Sequence, residues 1–410
     1  MPPSAKSQYI WYMTGIVTWV VPLGIQMILF TWLIAVQLQE SAERLGIAQM
    51  MMQLPGLFLI LVGGLLADKV DPRRILAVVH LLATLPALAL AALLYTDQLA
   101  YGWLLLYALA MGTAHAFIVP ARDGMLNRVA ANNLQQGVTV VMGLTFGAQL
   151  IGFIAASNAD SIGGIPLLLL QAGIILLGVI AALKLTPVAV YKVMDTGGRF
   201  SQLTRGFSVV WGSRAMRPAV AMLAVMSFFY GGTFIVLNPL MVRDIYGGAA
   251  YEISLSYGCF VIGTVTATIL MVLAGGLKRQ GRALLLAILT GAAILAMTQL
   301  HLPLVGYLAI IFLWGAGGGV AMSMGRTIMQ ETAPNELRSR VMAVFTLANT
   351  GGMPFGALTL GLCAEHLGVL NALLIVVIGA ATMTLAIWWL SDLANLRVGG
   401  VQADDGDVLS

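Results

Sequence analysis

The chain has 410 residues, of which 60% are hydrophobic and only 9% charged, with a formal net charge of +4. Its mean hydropathy of +0.93 exceeds what a water-soluble domain can cover with polar surface, so soluble enzymes and soluble carriers are excluded. Cys259 and Cys363 lie far apart in apolar runs, which leaves neither a disulfide framework nor a C-x-x-C metal pair, and no basic, aromatic-interleaved stretch marks nucleic-acid binding.

The first apolar run, between Lys6 and Glu40, contains no charge. A signal-peptide core is about 7–15 residues long, so this run is expected to remain as a first membrane span. A helix needs roughly 20 residues to cross the hydrocarbon layer. Runs of that length cover 10–38, 46–67, 75–95, 99–120, 136–157, 163–184, 217–241, 253–277, 283–300, 303–325, 341–363 and 367–391, which predicts twelve transmembrane helices in an all-α membrane protein. Of the 21 lysines and arginines, all but Arg44 and Arg243 fall in alternate gaps or in the tails. Insertion keeps such residues on the cytoplasmic side, so both termini are expected in the cytoplasm. The opposite gaps carry mostly acids: Glu40, Glu43, Asp97, Asp160, Asp244, Glu252 and Glu365.

The longest connection divides the chain into a first half, 1–184, a linker, 185–216, a second half, 217–391, and an acidic tail, 392–410. In the linker Phe200, Leu203, Phe207 and Trp211 recur at helical spacing between Arg199, Arg205 and Arg214, which predicts an amphipathic helix on the inner leaflet. The halves repeat each other. FIVPARDGMLNRVAANNLQQGV at the end of span four parallels AMSMGRTIMQETAPNELRSRV at the end of span ten, with Arg122 matching Arg326 and Met125 matching Met329. Trp11, Tyr12, Trp388 and Trp389, near span ends, read as interfacial anchors.

After span two, GGLLADKVDPRR places Gly63, Gly64, Asp68, Lys69, Arg73 and Arg74 around an Asp71-Pro72 turn. This resembles the loop 2–3 signature of the major facilitator superfamily, G-x-x-x-D-[RK]-x-[GD]-R-[RK]-R. The counterpart after span eight, AGGLKRQGR, keeps Gly275, Gly276, Lys278, Arg279 and Arg282 but lacks the acid. AHAFIVPARDGML resembles the span-four ending of the branch that holds bacterial macrolide-efflux proteins, mycobacterial multidrug pumps and the enterobactin exporter. Span five, GLTFGAQLIG, keeps Gly143, Gly147 and Gly152 of an antiporter motif, with Ala148 where that motif has proline.

The resemblance implies two six-helix halves around a midplane cavity lined by spans one, four, seven and ten. The expected substrate residues are Gln26, Phe30, Tyr107, Met111, His115, Phe229, Tyr230, Asn238 and Trp314, with Gln149 and Asn349 near the rim. Such a wall is aromatic and amide-rich without fixed charge, and suits a large amphipathic small molecule. It also implies a conformational latch of Gly64, Asp68, Arg73, Arg74, Arg122 and Asp123. Asp68 would face the positive N-terminal end of span eleven near Arg340, and Arg73 or Arg74 would pair with Asp123. No Asp, Glu, Lys or Arg lies deep within a span, so the proton-coupling candidates reduce to His115, His80 and Asp123.

These features predict a secondary active exporter of the bacterial inner membrane, working as a monomer, with protons as coupling ion and no cofactor. A lipid or lysolipid transporter of the same fold is the alternative. The four histidines, His80, His115, His301 and His366, form no H-x-x-x-x-D or H-E-x-x-H pattern, which weighs against a polytopic membrane enzyme.

Overall fold

The computed structural model describes residues 5–129, 134–187, 199–334 and 337–396. The side chains of Asp68, Arg128, Arg199, Phe200, Leu203 and Arg205, and residues Lys192 and Arg397, lie outside the described set. Among the described residues there is no strand. The chain runs through α1 (Ala5–Trp32), α2 (Ala42–Lys69), α3 (Pro72–Tyr95), α4 (Tyr101–Val129), α5 (Leu134–Ala156), a short α6 (Ala159–Ile162) and α7 (Gly164–Lys184). The linker forms α8 (Arg199–Gly212). Then follow α9 (Met216–Met226), α10 (Asn238–Asp244), α11 (Ala250–Leu273), α12 (Gln280–Ala296), α13 (Leu304–Thr332), α14 (Arg338–Leu367) and α15 (Val369–Leu390).

Ten stretches among the described residues are long and apolar enough to cross a membrane. With α2 at 28 residues and α5 at 23, they match the predicted runs one for one, α9 and α10 together forming span seven. Span one ends in a π-helical stretch, Leu33–Gln37, and span seven carries two, Ser227–Gly231 and Thr233–Leu237. Such stretches often mark functional segments of a helix.

The chain forms two compact units. The first comprises Met1–Asp195 with Val242–Gly258; the second comprises Thr196–Met241 with Cys259–Ser410. The sequence repeat reappears in how each unit packs. In the first, a Cβ at Gly24 would stand 2.5 Å from the Gln149 carbonyl oxygen and 3.0 Å from the Gly152 Cα, so α1 and α5 touch backbone to backbone. In the second, a Cβ at Gly232 would stand 2.6 Å from the Gly356 carbonyl carbon, bringing span seven onto α14. Spans two and four meet at Gly63 and Gly112, and spans eight and ten at Gly263 and Gly315. Small residues let membrane helices approach this closely, where dispersion replaces the absent hydrophobic drive. The other two glycines of the antiporter-like motif, Gly143 and Gly147, have nothing within 4 Å of where a Cβ would stand.

The turns repeat as well. Gly163 before α7 and Gly368 before α15 have φ of +80° and +82°, backbone that only glycine adopts cheaply. At Asp71-Pro72 the sequence-marked turn is a helix cap: Asp71 accepts the Arg73 N–H at 3.1 Å, and Pro72 occupies the first turn of α3. The linker helix α8 is docked on α14, where Gly206 lies against the Arg340 carbonyl, with Val210 buried and Trp211 and Phe207 exposed. Tyr12 corrects its interfacial reading. It is 2% exposed, and its hydroxyl donates to the Arg122 carbonyl at 3.1 Å inside the first unit. Trp389, 83% exposed, fits an anchor.

Candidate substrate and coupling sites

In the first unit, α1, α4 and α7 bring an uncharged polar cluster together. Phe30 and Tyr107 stack at 5.8 Å with their rings 28° apart. Gln171 on α7, fully buried, donates through Nε2 to the Tyr107 hydroxyl at 2.8 Å and reaches Gln26 Oε1 at 3.5 Å. Gln26 Nε2 in turn points to the Met52 sulfur at 3.0 Å, and Gln149 Nε2 to the Met27 sulfur at 3.2 Å. Met111 is buried on the same helix as Tyr107. The sequence reading missed Gln171, because span six stands outside the expected cavity-lining set. The available signal was a lone amide in an otherwise apolar run.

The second unit holds an aromatic nest. Trp314, 1% exposed, meets Phe260 at 4.9 Å, Tyr230 at 5.7 Å and Phe234 at 6.4 Å. Edge-to-face contacts such as the 84° Tyr230–Trp314 pair hold large rings in fixed orientation. The Tyr230 hydroxyl donates to the Ile288 carbonyl at 2.5 Å. Phe229, next in chain, turns to Gly379 of α15 and packs edge-on against Phe228 at 5.0 Å. Asn238 accepts the Tyr307 hydroxyl at 2.7 Å through Oδ1, while its Nδ2 has no partner. Asn349 Oδ1 is likewise buried without one.

Among the residues expected to form the latch, Gly64 is buried and Arg74 exposed, while the Asp68 side chain lies outside the described residues. Arg73 is engaged at a helix end. Its Nη2 donates to the Leu183 carbonyl at 2.7 Å, at the C-terminal end of α7, where the helix dipole and unpaired carbonyls favour a cation. Asp123, 64% exposed, lies beside Arg122 at 3.4 Å. His80 and His115, on α3 and α4, both pack on Trp19 of α1, at 5.4 Å edge-on and 6.3 Å stacked. Among the described residues no group of three His, Cys, Asp or Glu is placed to hold a metal ion.

The two residues that broke the charge pattern are both tied down. Arg44 pairs with Glu40 at 2.6 Å and stacks over the Tyr101 ring, and this pairing raises its already high pKa. Arg243 donates to the carbonyls of Ala35 at 3.2 Å and Glu40 at 3.1 Å, and pairs with Asp244 at 2.5 Å.

The pattern described as Major Facilitator Superfamily matches residues 14–357. The Staphyloferrin A transporter of Staphylococcus aureus is 22% identical over 373 residues, 88% of this chain and 90% of that protein. The Multidrug efflux pump Tap of Mycobacterium tuberculosis is 24% identical over 369 residues, 84% of each. Among solved structures, a point mutant of the nucleoside transporter NupG superposes with a TM-score of 0.77 at 13% identity, covering 94% of this chain and all (100%) of that one. That likeness speaks for the fold. With the twelve predicted spans, the repeated packing and the loop signature already in place, the match across most of the chain identifies it as a multi-pass membrane protein of the Major Facilitator Superfamily.

Proposed function

We propose that this chain is a secondary active exporter. It moves a hydrophobic or amphipathic small molecule, drug-like or siderophore-like, out of a bacterial cytoplasm across the inner membrane by alternating access, with proton antiport as the drive. The observation that carries the reading is the chemistry of the two clusters: aromatic and methionine surface, amides, and no fixed charge. Gln171 Oε1, Asn238 Nδ2 and Asn349 Oδ1 are buried and unpartnered. Each such atom costs about 1–3 kcal/mol until something bonds to it, and a substrate with scattered polar groups or a water supplies that bond. A phosphate or dicarboxylate would call for an arginine within the cluster. The relatives named for staphyloferrin A transport and multidrug efflux support the same substrate range. The test is accumulation: cells lacking the gene should retain more of an added dye or endogenous metabolite, and overexpressing cells less. Unchanged retention across a broad panel would refute export.

A second reading, movement of a lipid or lysolipid, draws on a groove of about 330 Å3 along α11, α12 and α13, lined by Ala267, Ala287, Thr290 and Gly317. Labelled lysolipid offered to the same cells separates the two readings.

A further inference from the structure

Between α1, α3, α4 and α7 the first unit encloses a small cavity lined by Tyr12, Trp19, Leu76, His80, Arg122 and Gly178, among others. About 20 Å3 of it is open to water centres, room for a water molecule where polar partners exist. Those partners are present and unused. His80, 2% exposed, has its Nδ1 on the Leu76 carbonyl at 2.8 Å. Leu76 O can only accept, so Nδ1 carries the hydrogen and the neutral ring leaves a bare lone pair on Nε2. That Nε2 is buried without a partner. Trp19, 4% exposed, presents an indole N–H that is also buried and unpartnered. His115 stacks on Trp19 outside the cavity lining, and its Nδ1 is also buried without a partner.

We propose that this cavity is a water-filled proton-binding site, with His80 Nε2 as the base and Trp19 Nε1–H as the donor that holds the bridging water. The step is a simple transfer. A proton arriving from the aqueous side is taken up by the cavity water as that water passes one of its own protons to Nε2, so the water ends neutral; the imidazolium keeps its Nδ1–H on Leu76, and release reverses the relay.

Three features favour function over packing. Unpartnered polar atoms are rare in native interiors, and two of them belong to residues that line this one cavity. A Cβ at Gly178 would overlap His80 Cδ2 and Nε2, so the bare nitrogen is accommodated by the residue that leaves it room. Ionisable groups within a membrane mark proton and ion pathways more often than structure. The groups that face His80 from the surrounding elements are Tyr12 of α1, and Arg122 of α4 with Asp123 beside it. From α7 come Gly178 and Ala182, neither titratable, and Arg73 at the start of α3 is engaged with Leu183. Among the described residues no carboxylate lines the cavity itself. Arg122 is the one charged residue among the described residues that line it.

The site deepens the exporter reading by giving its proton a residue, and the experiment separates the two. The purified full-length protein in lipid nanodiscs, labelled with 13C-histidine, gives four imidazole signals to assign by single His→Gln changes. The His80 signal should shift with pH as one proton binds, and His80→Gln in vesicles should lose stimulation of transport by a pH gradient while the protein still inserts. Gly178→Ala, which fills the space beside Nε2, should abolish the shift; if that variant does not fold, the wild-type titration alone decides. An invariant His80 signal over the whole pH range of the folded protein overturns the site, even if a protonophore stops transport. A titrating His80 in a transporter indifferent to protonophores keeps the site and overturns the antiport reading.

Discussion

The indole Nε1–H of Trp32 donates to one carboxylate oxygen of Asp160 at 2.6 Å, while the other oxygen accepts the backbone N–H of Ala250 at 2.9 Å. One acid therefore joins the end of α1 to the first turn of α11 within the first unit, where a helix N-terminus favours negative charge. Charge-assisted hydrogen bonds contribute about 1.5–3 kcal/mol when shielded, and the exposure of Asp160 places it at the lower end of that range. Asp160→Ala should lower the unfolding midpoint of the detergent-solubilised protein and reduce transport, with Asp160→Asn intermediate. Wild-type stability in both variants would show that the bridge contributes nothing.

Arg243 makes a second tie in the same region. Its guanidinium bonds two carbonyls, of Ala35 and Glu40, and the carboxylate of Asp244 at once. A planar fork does this and an ammonium does not. Arg243→Lys should therefore weaken transport nearly as much as Arg243→Ala, although it preserves the charge. Full activity in the lysine variant would show that a positive charge alone suffices there.

The spans and the repeat were legible in the sequence because each rests on a local pattern, apolar run length or a recurring string such as that around Arg122 and Arg326. The contacts were not. Asp160 read only as an acid in a loop, and Gln171 and Trp19 were not singled out, since their partners lie 90 residues away at Ala250, 64 at Tyr107 and 61 at His80. Of the two arginines expected near Asp123, Arg73 is engaged at a helix end, a partner that only the packing of α7 against α3 creates. The anchor reading of Tyr12 failed for a related reason: an aromatic near a span end can lie at the interface or turn inward to a carbonyl, and hydropathy does not separate the two.

The glycine contacts give a sharp internal contrast. A Cβ at Gly356 would overlap the Phe228 carbonyl, and one at Gly152 would stand 2.7 Å from the Gly24 Cα, so both meet backbone that cannot rotate away. Overpacking of this kind costs about 1–3 kcal/mol or more. Gly152→Ala and Gly356→Ala should each destabilise the protein, whereas Gly143→Ala and Gly147→Ala, with open space around them, should not. Thermal unfolding of the four variants side by side is the measurement. Equal effects would mean that the motif glycines act through something other than these approaches.

For the latch, the expectation from the loop signature is that Asp68→Asn impairs transport without preventing insertion. Arg73 now has its own role, holding the C-terminal end of α7 through Leu183. Arg73→Gln should therefore destabilise the first unit, while Asp68→Asn changes transport rate with little effect on the unfolding midpoint. The two variants losing stability in parallel, or Asp68→Asn transporting at the wild-type rate, would dissolve the latch.

The aromatic nest of the second unit separates recognition from packing. Tyr230→Phe removes only the hydrogen bond to the Ile288 carbonyl and should cost about 1 kcal/mol of stability with substrate preference intact. Trp314→Ala removes a ring that touches Phe260, Tyr230 and Phe234, which predicts a larger loss of stability, about 3–5 kcal/mol. Trp314→Phe keeps most of that volume while changing the face offered to a bound aromatic. If the nest selects the cargo, it is Trp314→Phe that reorders efflux rates across a dye panel while the protein remains folded. A uniform change in rate for every compound would assign Trp314 to the scaffold alone.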